Sequence, residues 1–417
     1  MAVDELGARH VRAVGIFDDE LRVLRTPNAV ETTSDKPNWQ LVDYCIDSLL
    51  EVGVNPMFTT CFTPTVLASR ESRLFTTGAN ASPPKDWNKW SNLISSTLQH
   101  FIWRYGKARV REWYCEAWNE PNLQPFWNGT KEEFFHLWKV TFQAVKSVDH
   151  ECRIGGPSTA RAEWIEEFIN WGRKNACEPD FIVGHIYNND SESNPLSPFE
   201  GPQEDKENKT PNFGDAVIRG TRQLLNSLNF KGELQWNEWG RSWYPNYPAR
   251  ETANEAAFVA KSMAGISNFV GHLAPWCLSD IYDQCGYSDK TFTGNYGLIN
   301  LQGLRKPAYN AYRLLRRLGK TRIPANTDAD SKCRGAIVAP REDGGFDILV
   351  YLYVHSDEQP SGEVDVAVNL PEGFVPRKIE AVAVDREENN ILDQWRRLGS
   401  PEYLTLQQTR ILKQANQ

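Results

Sequence analysis

The chain has 417 residues, 40% of them hydrophobic and 24% charged, which suits one large folded unit with a substantial core and a smaller companion. Its net charge of -8 gives no electrostatic reason to expect nucleic acid or an anionic membrane as partner. No apolar run reaches the length of a membrane-spanning helix, and the first seven residues lack the basic and apolar regions of a signal peptide, so a cytoplasmic location is expected.

In chain order, residues 4–7 look like the end of a helix, and short apolar runs then alternate with longer amphipathic stretches. Strands are predicted at 10–17, 56–62, 112–118, 152–156, 180–186, 232–237 and 268–278. Helices are predicted at 39–52, 86–105, 131–148, 162–175, 215–228, 251–266 and 307–318. Regular βα alternation implies a parallel sheet with helices outside, and over 1–321 a closed (β/α)8 TIM barrel is expected. The strand count is seven, so the first strand is missing: either the chain is truncated or the barrel closes in an unusual way. Gly155-Gly156-Pro157 reads as a tight βα turn, and 188–211 as a long polar loop of the kind that shapes pockets. From 322 to 417 the texture changes. Alternating runs at 335–340, 346–354 and 364–370 suggest an accessory β-rich, sandwich-like domain, followed by helix signals near Gln394 and Leu406.

Two glutamates in matching contexts carry the chemistry. Trp118-Asn119-Glu120-Pro121-Asn122 and Gln235-Trp236-Asn237-Glu238-Trp239 each follow an apolar run, at the edge of an α/β barrel where active sites form. Two carboxyl groups meeting there are what glycoside hydrolysis needs, one to protonate a leaving oxygen and one to attack or to activate water. Asn119 offers an amide to a sugar hydroxyl, and Pro121 forces the chain to turn away after Glu120. Glu233, at the opposite end of its run from Glu238, is the weaker candidate. His185 and Tyr187 alternate with period two, so both project toward the barrel mouth. Trp276 and Asp280 end the last run, as a sugar-stacking platform and a hydroxyl acceptor or as ordinary packing and a loop cap. The 15 Trp suit a carbohydrate ligand, although core filling accounts for most of them. Eight scattered Cys read as small buried hydrophobes, and no metal-binding, phosphate-binding or nucleophile-elbow motif is present, so neither cofactor nor metal is expected.

At these residues the chain resembles glycoside hydrolase family 39, a β-xylosidase-like branch of the retaining clan A. The likeness runs through Val11-Arg12 with Asp18-Asp19, Pro83-Pro84-Lys85-Asp86, Arg104-Tyr105-Gly106, Trp118 to Leu123 with Phe126-Trp127, Gly155-Gly156-Pro157, His185-Ile186-Tyr187 and Trp276 to Asp280. The resemblance implies Glu120 as general acid/base and Glu238 as nucleophile. It implies Asn119 on the sugar 2-hydroxyl, His185 and Tyr187 beside the nucleophile, and Trp276 as the floor of the glycone subsite. Two departures stand out. Val14 occupies the place of a histidine that touches the glycone, and Asp283-Gln284 replace two adjacent acids. The expected activity is retaining exo-hydrolysis of β-xylosidic bonds in an oligosaccharide or small glycoside. The alternatives are another exo-glycosidase (α-L-arabinosidase, β-glucosidase or α-L-iduronidase type, the last needing a cation such as Arg241 or Lys290) or a lapsed carbohydrate-binding protein. A retaining pair should stand roughly 5–5.5 Å apart.

Overall fold

The computed structural model describes residues 2–24, 36–75, 78–190, 210–281, 290–327, 333–356, 362 and 364–416. Seven parallel strands form one sheet in sequence order: β1 (His10–Ala13), β2 (Asn55–Thr59), β3 (Tyr114–Glu116), β4 (Arg153–Ala160), β5 (Phe181–Tyr187), β6 (Glu233–Gly240) and β7 (His272–Pro275). Around it lie α1 (Ala2–Leu6), α2 (Gln40–Glu51), α3 (Trp87–Tyr105), α4 (Lys107–Val110), α5 (Lys131–Val148), α6 (Ile165–Lys174), α7 (Phe213–Ser227), α8 (Ala253–Ile266) and α9 (Pro307–Arg317). This is the (β/α)8 pattern with one strand short among the described residues. No described helix is long and apolar enough to cross a membrane.

Local chemistry sets the helices that brace the sheet. Asp86 accepts from the amides of Asn88 and Lys89 to start α3, which buries Trp90, Leu93, Ile94, Thr97, Leu98 and Phe101 at helical spacing. Thr130 and Glu133 form a reciprocal capping box at the start of α5. The Trp90 indole then donates to Thr141 Oγ1 at 2.9 Å, tying α3 to α5 with no buried donor wasted there.

The sheet curls until its two outer strands face one another. No ladder joins β1 to β7. Across that seam the rings of His10 and His272 stack at 5.2 Å, and Tyr114 packs edge-on against both. Side chains thus close the bottom of the barrel where backbone hydrogen bonds do not.

Several predicted boundaries change. The run at 112–118 forms only the short β3, and the runs at 10–17 and 268–278 shrink to β1 and β7, their remaining residues lying on turns and irregular backbone at either end of the strands. Gly155-Gly156-Pro157 is not a turn but the middle of β4. There a Cβ at Gly155 would stand 2.4 Å from the Phe181 ring, so glycine permits the close approach of β5. Beyond the barrel, β8 (Arg334–Pro340) and β9 (Phe346–Leu352) make an antiparallel hairpin. It is anchored to α8 through Asn254, which donates to Val354 O at 2.7 Å and accepts from Val354 N at 3.0 Å. The strand expected at 364–370 does not form: Val364, Val366 and Val368 lie exposed on irregular backbone, with no pairing partner among the described residues. The helix signals near Gln394 and Leu406 become α10 (Ile391–Arg397) and α11 (Leu406–Ala415), which share a small core with Phe292 and Leu304.

Candidate active site

Glu120 lies four residues past the end of β3, in the left-handed region at φ 45°. A non-glycine residue pays strain to sit there, a condition common where geometry serves function. Bonds on either side hold it: Glu120 N donates to Ser158 O at 2.9 Å, and Asn122 exchanges two 3.0 Å bonds with the backbone of Ala160 at the end of β4. The Asn-Glu-Pro-Asn turn is thereby stapled to the neighbouring strand.

Glu238 reaches the mouth by a different device. On β6, Glu233, Gln235 and Asn237 share one face by period two; Gln235 bonds Glu233 at 3.1 Å and Asn237 contacts Met57 in the barrel interior. Strict alternation would send Glu238 to the other face. The β5–β6 register, however, passes from Gly184↔Trp236 directly to His185↔Glu238 and leaves Asn237 as the extra residue of a bulge. The bulge turns Glu238 inward beside His185. The strand also runs on to Gly240, so Glu238 stands within β6 and not, as expected, after its end.

The two carboxylates meet. One oxygen of Glu120, one of Glu238 and a ring nitrogen of His185 all lie within 4.8 Å of one another, and all three residues are buried. His185 Nδ1 is 2.9 Å from Glu120 Oε1 and 3.7 Å from Glu238 Oε1. Tyr187 donates its hydroxyl to Glu238 Oε2 at 3.0 Å. Arg12, on β1, gives Nη1 to Glu238 Oε1 at 2.7 Å and Nη2 to Asn119 Oδ1 at 2.8 Å, while its guanidinium lies 5.9 Å from the centre of the Trp276 ring. Arg12 thus links Asn119, Glu238 and Trp276.

Burial raises both catalytic candidates, but the neighbours differ. Desolvation pushes Glu120 up to about 7 against the opposing charges of Arg12 and Arg161. Desolvation also raises Glu238, and His185, Arg12 and the Tyr187 hydroxyl act against it. Glu238 receives a guanidinium and a phenol as donors, whereas Glu120 meets an imidazole that burial keeps below its usual pKa. These donors favour the charged form of Glu238, while Glu120 is pushed up by burial.

The chain is similar end to end to proteins of known class. The sequence pattern of glycosyl hydrolases family 39 matches residues 1–417. This chain belongs to family 39. Within it, a beta-xylosidase of Caldicellulosiruptor saccharolyticus is 32% identical over 418 residues, covering 99% of this chain and 83% of the relative. The crystal structure of a monomeric beta-xylosidase from Caulobacter crescentus CB15 superposes with a TM-score of 0.81 at 27% identity, covering all of this chain and 84% of the other. A human alpha-L-iduronidase is 26% identical over 368 residues, 78% of this chain and 55% of the relative. The family 39 chain is thus a glycoside hydrolase on a carbohydrate substrate.

Asp280 and Arg241 make contacts of other kinds. Asp280 is buried in an ion pair with Lys306 at 2.9 Å and accepts from Gly297 N at 2.7 Å, so its carboxylate braces the loop after β7. Asp283 falls outside the described residues. Arg241 is turned toward the hairpin, where it donates to Ser356 O at 2.5 Å and lies 5.5 Å from the Tyr353 ring. The Glu120-His185-Glu238 trio has the donor set of a metal site, but Arg12 already places a cation 2.7 Å from Glu238 Oε1, where an ion would meet repulsion. Sequence reasoning assigned no role to Arg12 or Glu116. The signal was available: both are charged residues inside runs read as barrel strands, and charge in a buried strand is rare unless paired.

Proposed function

We propose that this family 39 glycoside hydrolase is a retaining exo-β-xylosidase acting on xylo-oligosaccharides or small xylosides, with Glu238 as nucleophile and Glu120 as acid/base. Glu238 attacks the anomeric carbon and forms a glycosyl ester as the glycosidic bond breaks, and the Glu120 proton passes to the departing oxygen. Glu120, now a carboxylate, takes a proton from the water that attacks the same carbon, and Glu238 leaves. The observation that carries this reading is the approach of the two carboxylates to within 4.8 Å, near the roughly 5–5.5 Å of retaining pairs and well short of the roughly 6.5–9.5 Å that inverting pairs keep for a water. The xylose preference is supported by the relatives named beta-xylosidases in the bacterial branch.

A uronidase reading draws on the human iduronidase relative but needs a cation for the sugar carboxylate. Arg241 is turned away into the hairpin contact, which speaks against it. The deciding experiment is hydrolysis of a panel of nitrophenyl glycosides, with the first-formed sugar read by proton NMR. The expected result is highest kcat/KM on the β-xyloside and β-xylose released first. Preference for another glycone would remove the xylosidase assignment, and α-xylose first would remove the retaining mechanism.

A further inference from the structure

Glu116 is a third carboxylate at the barrel mouth, and the mechanism above does not use it. It is fully buried at the end of β3. Its Oε1 accepts from Arg12 Nη2 at 2.8 Å, and its Oε2 accepts from Arg12 Nε at 2.6 Å and from Thr59 Oγ1 at 2.8 Å. Burial pushes its pKa up, yet the charge and hydrogen bonds of Arg12 outweigh burial and leave it below the usual carboxylate range. It is therefore an anion at neutral pH.

The same guanidinium serves the site. Two parallel bonds to one carboxylate define the plane of a guanidinium, since the fork is rigid. With that plane defined by Glu116, Nη1 has Glu238 in reach and Nη2 also meets Asn119. A lysine, or an arginine held by a single bond, would not be constrained to point at both. The charge count matters as well. Arg12 opposite Glu238 alone would leave a neutral pair, and beside a neutral pair Glu120 would lose its proton more readily than beside a net negative charge. Glu116 restores that negative charge, because Arg161, the other cation acting on Glu120, is itself paired with Glu163 at 2.7 Å.

We propose that Glu116 is a positioning residue with an electrostatic role: it aims Arg12 at Glu238 and Asn119, and it supplies the fixed negative charge that favours the protonated form of Glu120. This rests on the assignment of Glu120 and Glu238 above.

The test is the pH dependence of kcat and KM on xylobiose, a substrate whose leaving sugar needs a proton, for the full chain carrying Glu116→Gln and, separately, Glu116→Asp. Glu116→Gln should move the alkaline limb to lower pH by about one unit and lower kcat on the order of 10- to 100-fold, with KM little changed. Glu116→Asp keeps the charge but withdraws it by one methylene, so kcat should fall while the alkaline limb stays. An unmoved limb in Glu116→Gln, or an equal shift in Glu116→Asp, overturns the electrostatic role; wild-type kcat in both overturns the positioning role. Should Glu116→Gln fail to fold, Thr59→Val loosens the same carboxylate without removing its charge; it should lower kcat with the limb in place, and wild-type kcat would overturn the positioning role. Failure of the underlying assignment looks different, because Glu120→Gln would then retain the alkaline limb of the wild type.

Discussion

The two ends of the barrel hold comparable polar clusters and use them in opposite ways. At the bottom, Glu233 accepts from the Tyr114 hydroxyl at 2.7 Å, and Arg153 lies 3.7 Å from the Tyr114 ring centre. Burial pushes Glu233 up, but Tyr114 and Gln235 pull it below its usual value, and burial depresses His10 and His272 so that both rings are neutral at pH 7. The Arg153 guanidinium opposes the charge of Glu233, and the hydrogen bonds from Tyr114 and Gln235 hold the carboxylate ionised. At the mouth, Glu116, Glu120 and Glu238 gather around Arg12 and an imidazole that burial keeps neutral. Negative charge is in excess there, and desolvation does not let all three acids ionise together near neutral pH. A cluster whose carboxylate is held ionised braces the fold, whereas a cluster with surplus carboxylate holds a transferable proton.

That contrast can be broken most severely at Glu238, the proposed nucleophile. Glu238→Ala should lower kcat by a factor on the order of 10⁴ or more, and azide should restore turnover of an activated aryl xyloside as a glycosyl azide of inverted configuration. Glu120→Ala comes next. It should cost roughly 10²- to 10⁴-fold on xylobiose, and far less on a dinitrophenyl xyloside whose leaving group needs no proton, compared by kcat/KM on the two substrates. The same group sets the pH response. Because burial lifts Glu120 to about 7, the acid form is present below that pH and lost above it, so wild-type kcat/KM on xylobiose should fall as pH rises through neutrality. In Glu120→Ala that fall should vanish. The smallest effect belongs to the bottom of the barrel. Tyr114→Phe should leave kcat unchanged and lower stability by about 1 kcal/mol, measured by urea unfolding, because it removes a hydrogen bond and no chemistry. A comparable loss of kcat in Tyr114→Phe would erase the distinction between the two ends.

Much of the scaffold was legible because its signals are local. The helix expected at 131–148 matches α5 end for end, since Thr130 and Glu133 mark its start and an apolar face at helical spacing carries it to Val148. The parallel sheet followed from alternation alone. Strand ends were less legible, because what ends a strand is the loss of a neighbour, and neighbours are not written in the strand's own residues. Residues 364–370 show the converse: they alternate like a strand and stay irregular, with no pairing partner among the described residues.

The sequence by itself determined the two glutamates, their place on the mouth side and the class of chemistry they serve, because residue type and the period of apolar runs are properties of short segments. Only the tertiary structure decided that Glu238 faces inward, since this depends on a bulge in its pairing with β5. It alone decided that Arg12 binds Glu116, Asn119 and Glu238 together, contacts that span 104 to 226 residues of chain. The division of labour between proton and negative charge is likewise a tertiary property. It arises from desolvation and from donors brought in by other strands, and no single segment contains either.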